Sequence, residues 1–496
     1  MPACFMVQGA GSNVGKSVLV AGLCRHFANQ GLRVRPFKPQ NMSNNAAVTA
    51  DGGEIGRAQA MQALACRVPA SIHMNPVLLK PETDTGAQII VQGQRFGSMR
   101  AREYGTHKAS LMPPVLDSFA KIGEDADLVI VEGAGSPAEV NLRAGDIANM
   151  GFATAANVPV VMVGDIDRGG VIASLVGTHA VLDQQDKDLI KSFIINKFRG
   201  DTTLFSEGMT IISDATGWQG LGILPWFADA KFLPAEDILD LAGKGEAVRD
   251  AGGDSRVHIA VPVLRRIANF DDLDPLSAEA DVRLTLVQAG DVIPSDTDLV
   301  LIPGSKATID DLAFLREQGW DIDIAAHHRR GGITLGLCGG YQILGRKVHD
   351  PHGIEGPVRS AEGLGLLNVE TTLDAAKTLR LVEAEAIQFK TSVNGYEIHM
   401  GQTSGPDCER ALLHIEDRFD GAISVDGRVM GSYVHGIFSD NGFRRRFLED
   451  LAARRGRDIS LADFDFAKNV DDTLDRLAAH LAAYLDMGAL ARMAGL

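Results

Sequence analysis

Cysteine is scarce in this chain, and its placement is uninformative at four of five positions. Five cysteines in 496 residues, at 4, 24, 66, 338 and 408, are odd in number and widely scattered. That excludes a disulfide framework and paired zinc-type spacings, and it points to a reducing compartment. Positive charge is also short: 48 Lys and Arg stand against 64 Asp and Glu, a formal charge of −16. Wholesale binding of nucleic acid or an anionic membrane needs clustered basic residues and is therefore not expected. No apolar run is long enough to cross a bilayer, and the N-terminus enters an apolar strand at Cys4–Val7 without a basic leader. Internal repeats and low-complexity tracts are lacking too. These absences together predict a cytoplasmic globular protein.

Length then sets the organisation, because 496 residues exceed one ordinary core and two or three domains are expected. Up to residue 233, short apolar runs at Cys4–Val7, Val34–Phe37, Asp127–Val131, Val158–Val163 and Phe193–Ile195 alternate with helical spacing at Lys16–Phe27 and Gly56–Val68. Such alternation predicts an α/β domain, a parallel sheet with helices on both faces. Residues 234–256 are charged and glycine-rich without a sustained apolar period, and read as a linker. A second strand series follows over 257–445, at Val257–Leu264, Val282–Val287, Asp298–Ile302 and Gly332–Leu337. Residues 446–496 read as a helical extension in which Val470, Leu474, Leu477, Leu481 and Leu485 form an amphipathic stripe suited to packing on the protein.

The first strand runs into Gly9-Ala10-Gly11-Ser12-Asn13-Val14-Gly15-Lys16-Ser17, and helical spacing resumes after it. Glycines such as Gly11 and Gly15 let backbone N–H groups point at phosphate oxygens. The helix N-terminus adds a positive end, Lys16 reaches outer phosphates, and Ser17 is placed to ligate Mg²⁺. The usual loop glycine is displaced by one, Ala10 standing where it would be and Gly9 before it, a spacing that resembles dethiobiotin synthetase. Glu132 ends an apolar strand, the position that puts a carboxylate near a metal at the carboxyl edge of a sheet; capping the next loop is the plainer alternative. Lys38 also follows a strand, where it would offset charge during phosphoryl transfer or simply be solvated. Asn196 has two readings, a contact to the nucleotide base or a solvated turn.

In the second half, an apolar strand runs into Cys338-Gly339-Gly340 and helical spacing follows. This is the pattern of a nucleophile elbow, with the side chain exposed at the strand end and a helix N-terminus favouring the thiolate. The N–H of Gly339 is one candidate oxyanion donor, and the turn Pro303-Gly304-Ser305 offers a second through Gly304. The other four cysteines read as buried apolar residues or, for Cys408, an incidental loop thiol. A general base is required, and His435 at a strand end before Gly436 is the first choice, with His399 the second.

Taken with Phe37–Asn45, Gly53–Gln59, Asp165–Ser174, Leu335–Gln342, Tyr396–Gly401 and Tyr433–Gly436, these motifs resemble the cobyric acid synthases, glutamine-dependent amidotransferases of cobalamin biosynthesis. The resemblance spans nearly the whole chain, and Asp165–Ser174 distinguishes it from the related a,c-diamide synthases. It implies a P-loop synthetase domain followed by a class I glutaminase-like domain. It implies ATP, Mg²⁺ and glutamine as co-reactants, and amidation of the b, d, e and g carboxylates of a corrinoid acid, adenosylcobyrinic acid a,c-diamide. An acyl phosphate intermediate and a shielded path for ammonia follow from the same resemblance. Class I glutaminases ordinarily carry a Glu two residues after the histidine, where this chain has Ile437; Asp440 and Glu397 are the sequence candidates for orienting the base. A rival of another class, a partitioning-type P-loop ATPase, leaves the Cys338 elbow without a task.

Overall fold

The computed structural model describes residues 2–82, 85–236, 256–457, 459, 461 and 463–496. The segment read as a linker, 234–256, lies largely outside the described residues. Contacts divide the chain into two units: Met1–Ser43, Thr49–Leu233 and Val470–Leu496 form the first, Asn44–Val48 and Pro234–Asn469 the second. The tail is thus not one extension. Its residues from Val470 onward belong to the first unit, while the helix α4 (Asn441–Arg454) belongs to the second.

The first unit is built on six parallel strands: β1 (Ala3–Gly9), β2 (Val34–Phe37), β3 (Leu128–Glu132), β4 (Val160–Asp165), β5 (Ile190–Phe198) and β6 (Gln219–Pro225). Their order across the sheet is β6-β5-β4-β1-β3-β2. Every residue of β3 is buried, as are Phe5, Met6 and Val7 of β1, which is why these strands are continuous apolar runs rather than alternating ones. β1 leads through the glycine loop into α1 (Lys16–Asn29), and α2 (Arg57–Ala65) packs beside α1. β6 has no counterpart in the sequence reading, because Gln219-Gly-Leu-Gly-Ile carries two glycines and little apolar content. A four-stranded sheet of Gln40–Met42, Val77–Pro81, Gly86–Val91 and Gln94–Arg100 was likewise not foreseen.

The second unit repeats the parallel theme with β7 (Val257–Pro262), β8 (Val282–Val287), β9 (Leu299–Ile302), β10 (Ile333–Leu337) and, after a long hairpin, β13 (Val429–Ser432). The order is β8-β7-β9-β10-β13, closed by a short antiparallel edge at Ala422–Ile423. The hairpin, β11 (Glu370–Ala386) and β12 (Thr391–Ser404), forms an antiparallel sheet with β14 (Val434–His435). One apolar core unites both sheets, with Trp320, Leu335, Leu337, Phe438 and Phe447 each at most 1% exposed. No helix among the described residues is long and apolar enough to cross a membrane.

Candidate active sites in the two units

In the first unit the loop between β1 and α1 is shaped by two of its glycines. A Cβ at Gly9 would lie 2.7 Å from Val14 and 2.8 Å from the Gly11 carbonyl, and Gly15 sits at φ +90° with a Cβ 2.5 Å from the Asn196 amide. Gly11, by contrast, has room for a Cβ, its nearest neighbour being 3.8 Å away. The one-residue displacement in the motif is thereby explained: the close approach that demands glycine falls on Gly9. Lys16 Nζ donates to the carbonyl of Gly135 at 3.2 Å, which draws the loop and the turn after β3 together.

Glu132, at the end of β3, is fully buried and gathers the polar groups of this site. Ser17 Oγ donates to its Oε1 at 2.8 Å, and Lys38 Nζ pairs with the same oxygen at 2.7 Å. On the other oxygen, Gln62 of α2 donates at 2.5 Å and Gln59 at 3.5 Å. The register explains the meeting, because Val7 of β1 lies beside Glu132 and Phe37 of β2 beside Val131. Both strand ends thus arrive at the same sheet edge. Lys38 is neither a solvated lysine nor remote from the loop; it is a buried cation held by the strand-end carboxylate. Asn196 does not point freely at a ligand: its Nδ2 donates to the Val14 carbonyl at 2.8 Å and its Oδ1 accepts from the N–H of Lys197 at 2.8 Å. It braces the loop from β5.

A hydroxyl and a buried carboxylate at the mouth of a phosphate loop suit one hard divalent cation that takes its other ligands from phosphate and water. No cluster of three or more His, Cys, Asp or Glu side chains with metal-binding geometry occurs among the described residues, so a metal here would rest on Ser17, Glu132 and its phosphate ligand.

In the second unit Cys338 occupies the turn from β10 into the short helix α3 (Gly339–Leu344), with φ 51° and ψ −107°. A side chain other than glycine in this region stores on the order of 1–3 kcal/mol of strain, which must be held by its surroundings. The surroundings are tight: a Cβ at Gly340 would meet the Ile302 carbonyl at 2.1 Å, and one at Gly339 would meet Ser305 N at 2.7 Å. The elbow is therefore pressed against the Pro303–Ser305 turn, and a Cβ at Gly304 would lie 3.0 Å from the His435 ring. Asp311 fixes that turn by accepting from Ser305 Oγ and from the N–H of Arg266.

His435 meets this elbow from β14. Its Nδ1 lies 2.6 Å from Asp272 Oδ2, and the other Asp272 oxygen accepts from the N–H of Gly436 at 2.5 Å. Tyr396 of β12 stacks on the imidazole, ring centres 5.3 Å apart and planes within 18°. Its hydroxyl is itself held by Asp271 at 3.0 Å and by Asn269, whose amide also donates to the Ala46 carbonyl. Burial opposes charge on His435, but the charge and hydrogen bond of Asp272, together with the Cys338 sulfur, outweigh it and raise its pKa to about 10. An aspartate on one ring nitrogen and a thiol at the ring is the arrangement of an oriented acid–base catalyst beside its nucleophile.

Asp272 is the functional residue that the sequence did not disclose. It lies in Phe270-Asp-Asp-Leu-Asp274, where three acids offer no basis for choosing one, and it is 163 positions from its histidine. The two sequence candidates for this role are engaged elsewhere. Asp440 caps α4 by accepting from the N–H of Phe443. Glu397 binds Arg380 and Arg418; burial works against its charge, yet its hydrogen bonds to His399 and Arg380 and the Arg418 charge hold it at about 2. The position that usually carries the third residue, Ile437, is fully buried among apolar side chains. His399 lies on β12 with its ring stacked 3.8 Å over Tyr433, and its Nε2 is 3.8 Å from Glu397. It follows Ile398, whose carbonyl is 3.8 Å from the Cys338 sulfur, so it is near the site without replacing His435.

Comparison with known proteins agrees with this division of labour. Residues 5–240 match the CobQ/CobB/MinD/ParA nucleotide-binding domain, and residues 258–443 match the CobB/CobQ-like glutamine amidotransferase domain. Cobyric acid synthases from Brucella canis and Brucella suis are each 57% identical over 494 residues, covering the full length of both chains. The cobyric acid synthase of Jannaschia sp. is 57% identical over 490 residues, 99% of each chain. Likeness of this extent across both domains leaves one assignment, and the chain belongs to the cobyric acid synthase family, glutamine-dependent amide ligases with a nucleotide-binding half.

Proposed function

We propose that the chain amidates the b, d, e and g side-chain carboxylates of adenosylcobyrinic acid a,c-diamide, with ATP activating each acid and glutamine supplying the nitrogen. The substrate is taken from the family; the chemistry is supported by the two sites. A carboxylate oxygen attacks the γ-phosphorus of ATP and ADP leaves, which gives an acyl phosphate. Ammonia then attacks the acyl carbon, phosphate departs, and a proton is lost to give the amide. Gly9–Ser17 hold the phosphates, Lys16 and Lys38 offset the charge that builds on the transferring group, and Asn196 keeps the loop in place. Mg²⁺, held by Ser17 and Glu132, would draw charge from the phosphate oxygens.

The cysteine half makes the ammonia. His435 is held protonated at neutral pH by Asp272, and the Cys338 sulfur, attacking in its thiolate form, adds to the carbon of the glutamine side-chain amide. The N–H groups at Gly339 and Gly304 stabilise the oxyanion, His435 gives its proton to the departing ammonia, and water then hydrolyses the thioester to glutamate. The observation that carries this reading is the Asp272–His435 pair set against the strained Cys338 elbow, which a purely structural domain would have no reason to maintain. Mass spectrometry of the corrinoid acid incubated with ATP, Mg²⁺ and glutamine tests it. Stepwise conversion of four acids to amides is expected. Conversion of only two, starting from the unamidated acid, would instead identify an a,c-diamide synthase.

A further inference from the structure

The pair of Asp272 and His435 is assembled from two stretches of chain that are far apart in sequence. Asp272 stands in the turn Phe270–Leu273, which leads through the short helix Asp274–Ala278 to Glu279. His435 ends β14, and Gly436, at φ +80°, carries the chain into the turn Ile437–Ser439 just before α4. Asp272 joins the two stretches at one end, by accepting from the His435 ring and from the N–H of Gly436. A second joint closes the other end.

That joint is Arg444 of α4. It is 1% exposed, and a guanidinium so far from water needs its donors met inside the protein. Its Nε pairs with Glu279 Oε1 at 2.6 Å, and Glu279 is itself buried. Its Nη1 donates to the Phe438 carbonyl at 2.7 Å. Its Nη2 donates to Asn441 Oδ1 at 2.9 Å and to the Phe464 carbonyl at 3.0 Å. Glu279 closes the stretch that carries Asp272, and Phe438 lies in the turn after His435. The circuit is therefore closed: Asp272 to Glu279 along the chain, Glu279 to Phe438 through the guanidinium, Phe438 back to His435, and His435 to Asp272 through the imidazole. Leu273 and Phe438 are both fully buried, so neither stretch can shift without disturbing the core.

We propose that Arg444 is a positioning residue of the glutaminase site, holding the stretch behind Asp272 to the stretch behind His435 so that carboxylate and imidazole stay aligned for Cys338. The inference rests on the reading of Cys338, His435 and Asp272 as the glutaminase machinery. Arg444 is bonded to none of the three and acts through Asp272. Alignment matters because proton transfer is steep in geometry, a misplacement of about 1 Å costing up to about a hundredfold. A buried charge pair adds little stability over apolar residues of the same volume, so stability alone gives no reason to keep one here.

Glutamine hydrolysis by the full-length protein tests the clamp. Arg444→Met and Glu279→Met are made together, so that no buried charge is left without its partner. Turnover should fall about tenfold while KM for glutamine stays within about twofold, because dyad alignment and not glutamine binding is lost. In the Asp272→Asn background the same two changes should cost less than about twofold more, since the alignment they disturb no longer counts. Equal losses in both backgrounds overturn the proposal, and so does a turnover that the double change leaves unaltered. Urea unfolding midpoints show which proteins are folded. If the double variant does not fold, Arg444→Lys is read by the same criteria, because it keeps a cation beside Glu279 but lacks the planar fork. Asp272→Asn by itself separates this inference from the reading beneath it. If that change leaves turnover intact, the dyad reading fails; if it lowers turnover and the clamp variants do not, the dyad stands and the clamp falls.

Discussion

At the scale of single residues, Asp272 decides how His435 works. A neutral amide in its place keeps the shape but removes the charge that holds the imidazolium. Asp272→Asn should lower glutamine hydrolysis by about a hundredfold or more, the scale of a general acid–base contribution. It should also move the alkaline limb of the pH–rate profile toward neutrality, which a merely structural residue would not do. Stability follows the same linkage. The folded pKa of His435 is raised from 6.5 to about 10, so the stabilisation from its pair with Asp272 is complete below about 6.5 and is lost as pH rises through about 10. Unfolding midpoints measured between pH 6 and 10.5 should fall more steeply in the parent than in Asp272→Asn. The two histidines are separable in the same assay: His435→Ala should slow thioester formation by orders of magnitude, and His399→Ala, which loses a stacked ring on Tyr433, should cost much less. A more damaging His399→Ala would transfer the role of base to His399.

At the scale of elements, both sites stand where a parallel strand gives way to a tight turn and a helix. Glycine at the turn is what permits the packing. Gly340→Ala puts a methyl 2.1 Å from the Ile302 carbonyl, which cannot retreat without disturbing β9. A loss of about 1–3 kcal/mol in urea unfolding is expected, together with reduced glutaminase activity as the Cys338 turn opens. Unchanged stability would mean that α3 can shift to make room. The strands themselves were largely legible in advance, since Val34–Phe37 and Val282–Val287 were read as strands with the boundaries that the structure gives them. The hairpin β11–β12 was not legible. Burial along it is irregular, with no buried residue from Asp374 to Leu381 and three in succession at Tyr396–Ile398, so no sustained strand period marks it, and pairing partners in a hairpin declare themselves only in the fold.

At the scale of the whole molecule, two chemistries share one chain and can be taken apart. Cys338→Ala should abolish glutamine-dependent amidation, because no thioester can form. A high concentration of ammonium salt at alkaline pH should restore product, since the proposed acyl phosphate would accept free ammonia. Lys16→Ala should give no product from either nitrogen source, while glutamine hydrolysis persists at a basal level. Failure of ammonia to rescue a folded Cys338→Ala protein would give the cysteine a second task, and rescue of Lys16→Ala would remove the phosphate loop from the chemistry.

The sequence by itself determined the class of fold, and it named the phosphate loop, a candidate nucleophile and a candidate histidine. Each of these is written in neighbouring residues: apolar runs of strand length, glycines at a turn, a lysine and serine at a helix start, a cysteine after a buried strand. What only the tertiary structure decided is what meets across distance. Glu132 collects Ser17, Lys38 and Gln62 because parallel strands deliver their ends to one edge, and nothing local in the chain states that register. Asp272 reaches His435 across 163 positions, and one of several neighbouring acids is chosen by packing alone. The tail returns to the first unit because Gly22 and the buried Arg25 give it a seat there, which an amphipathic stripe can announce as a need for a partner but cannot locate.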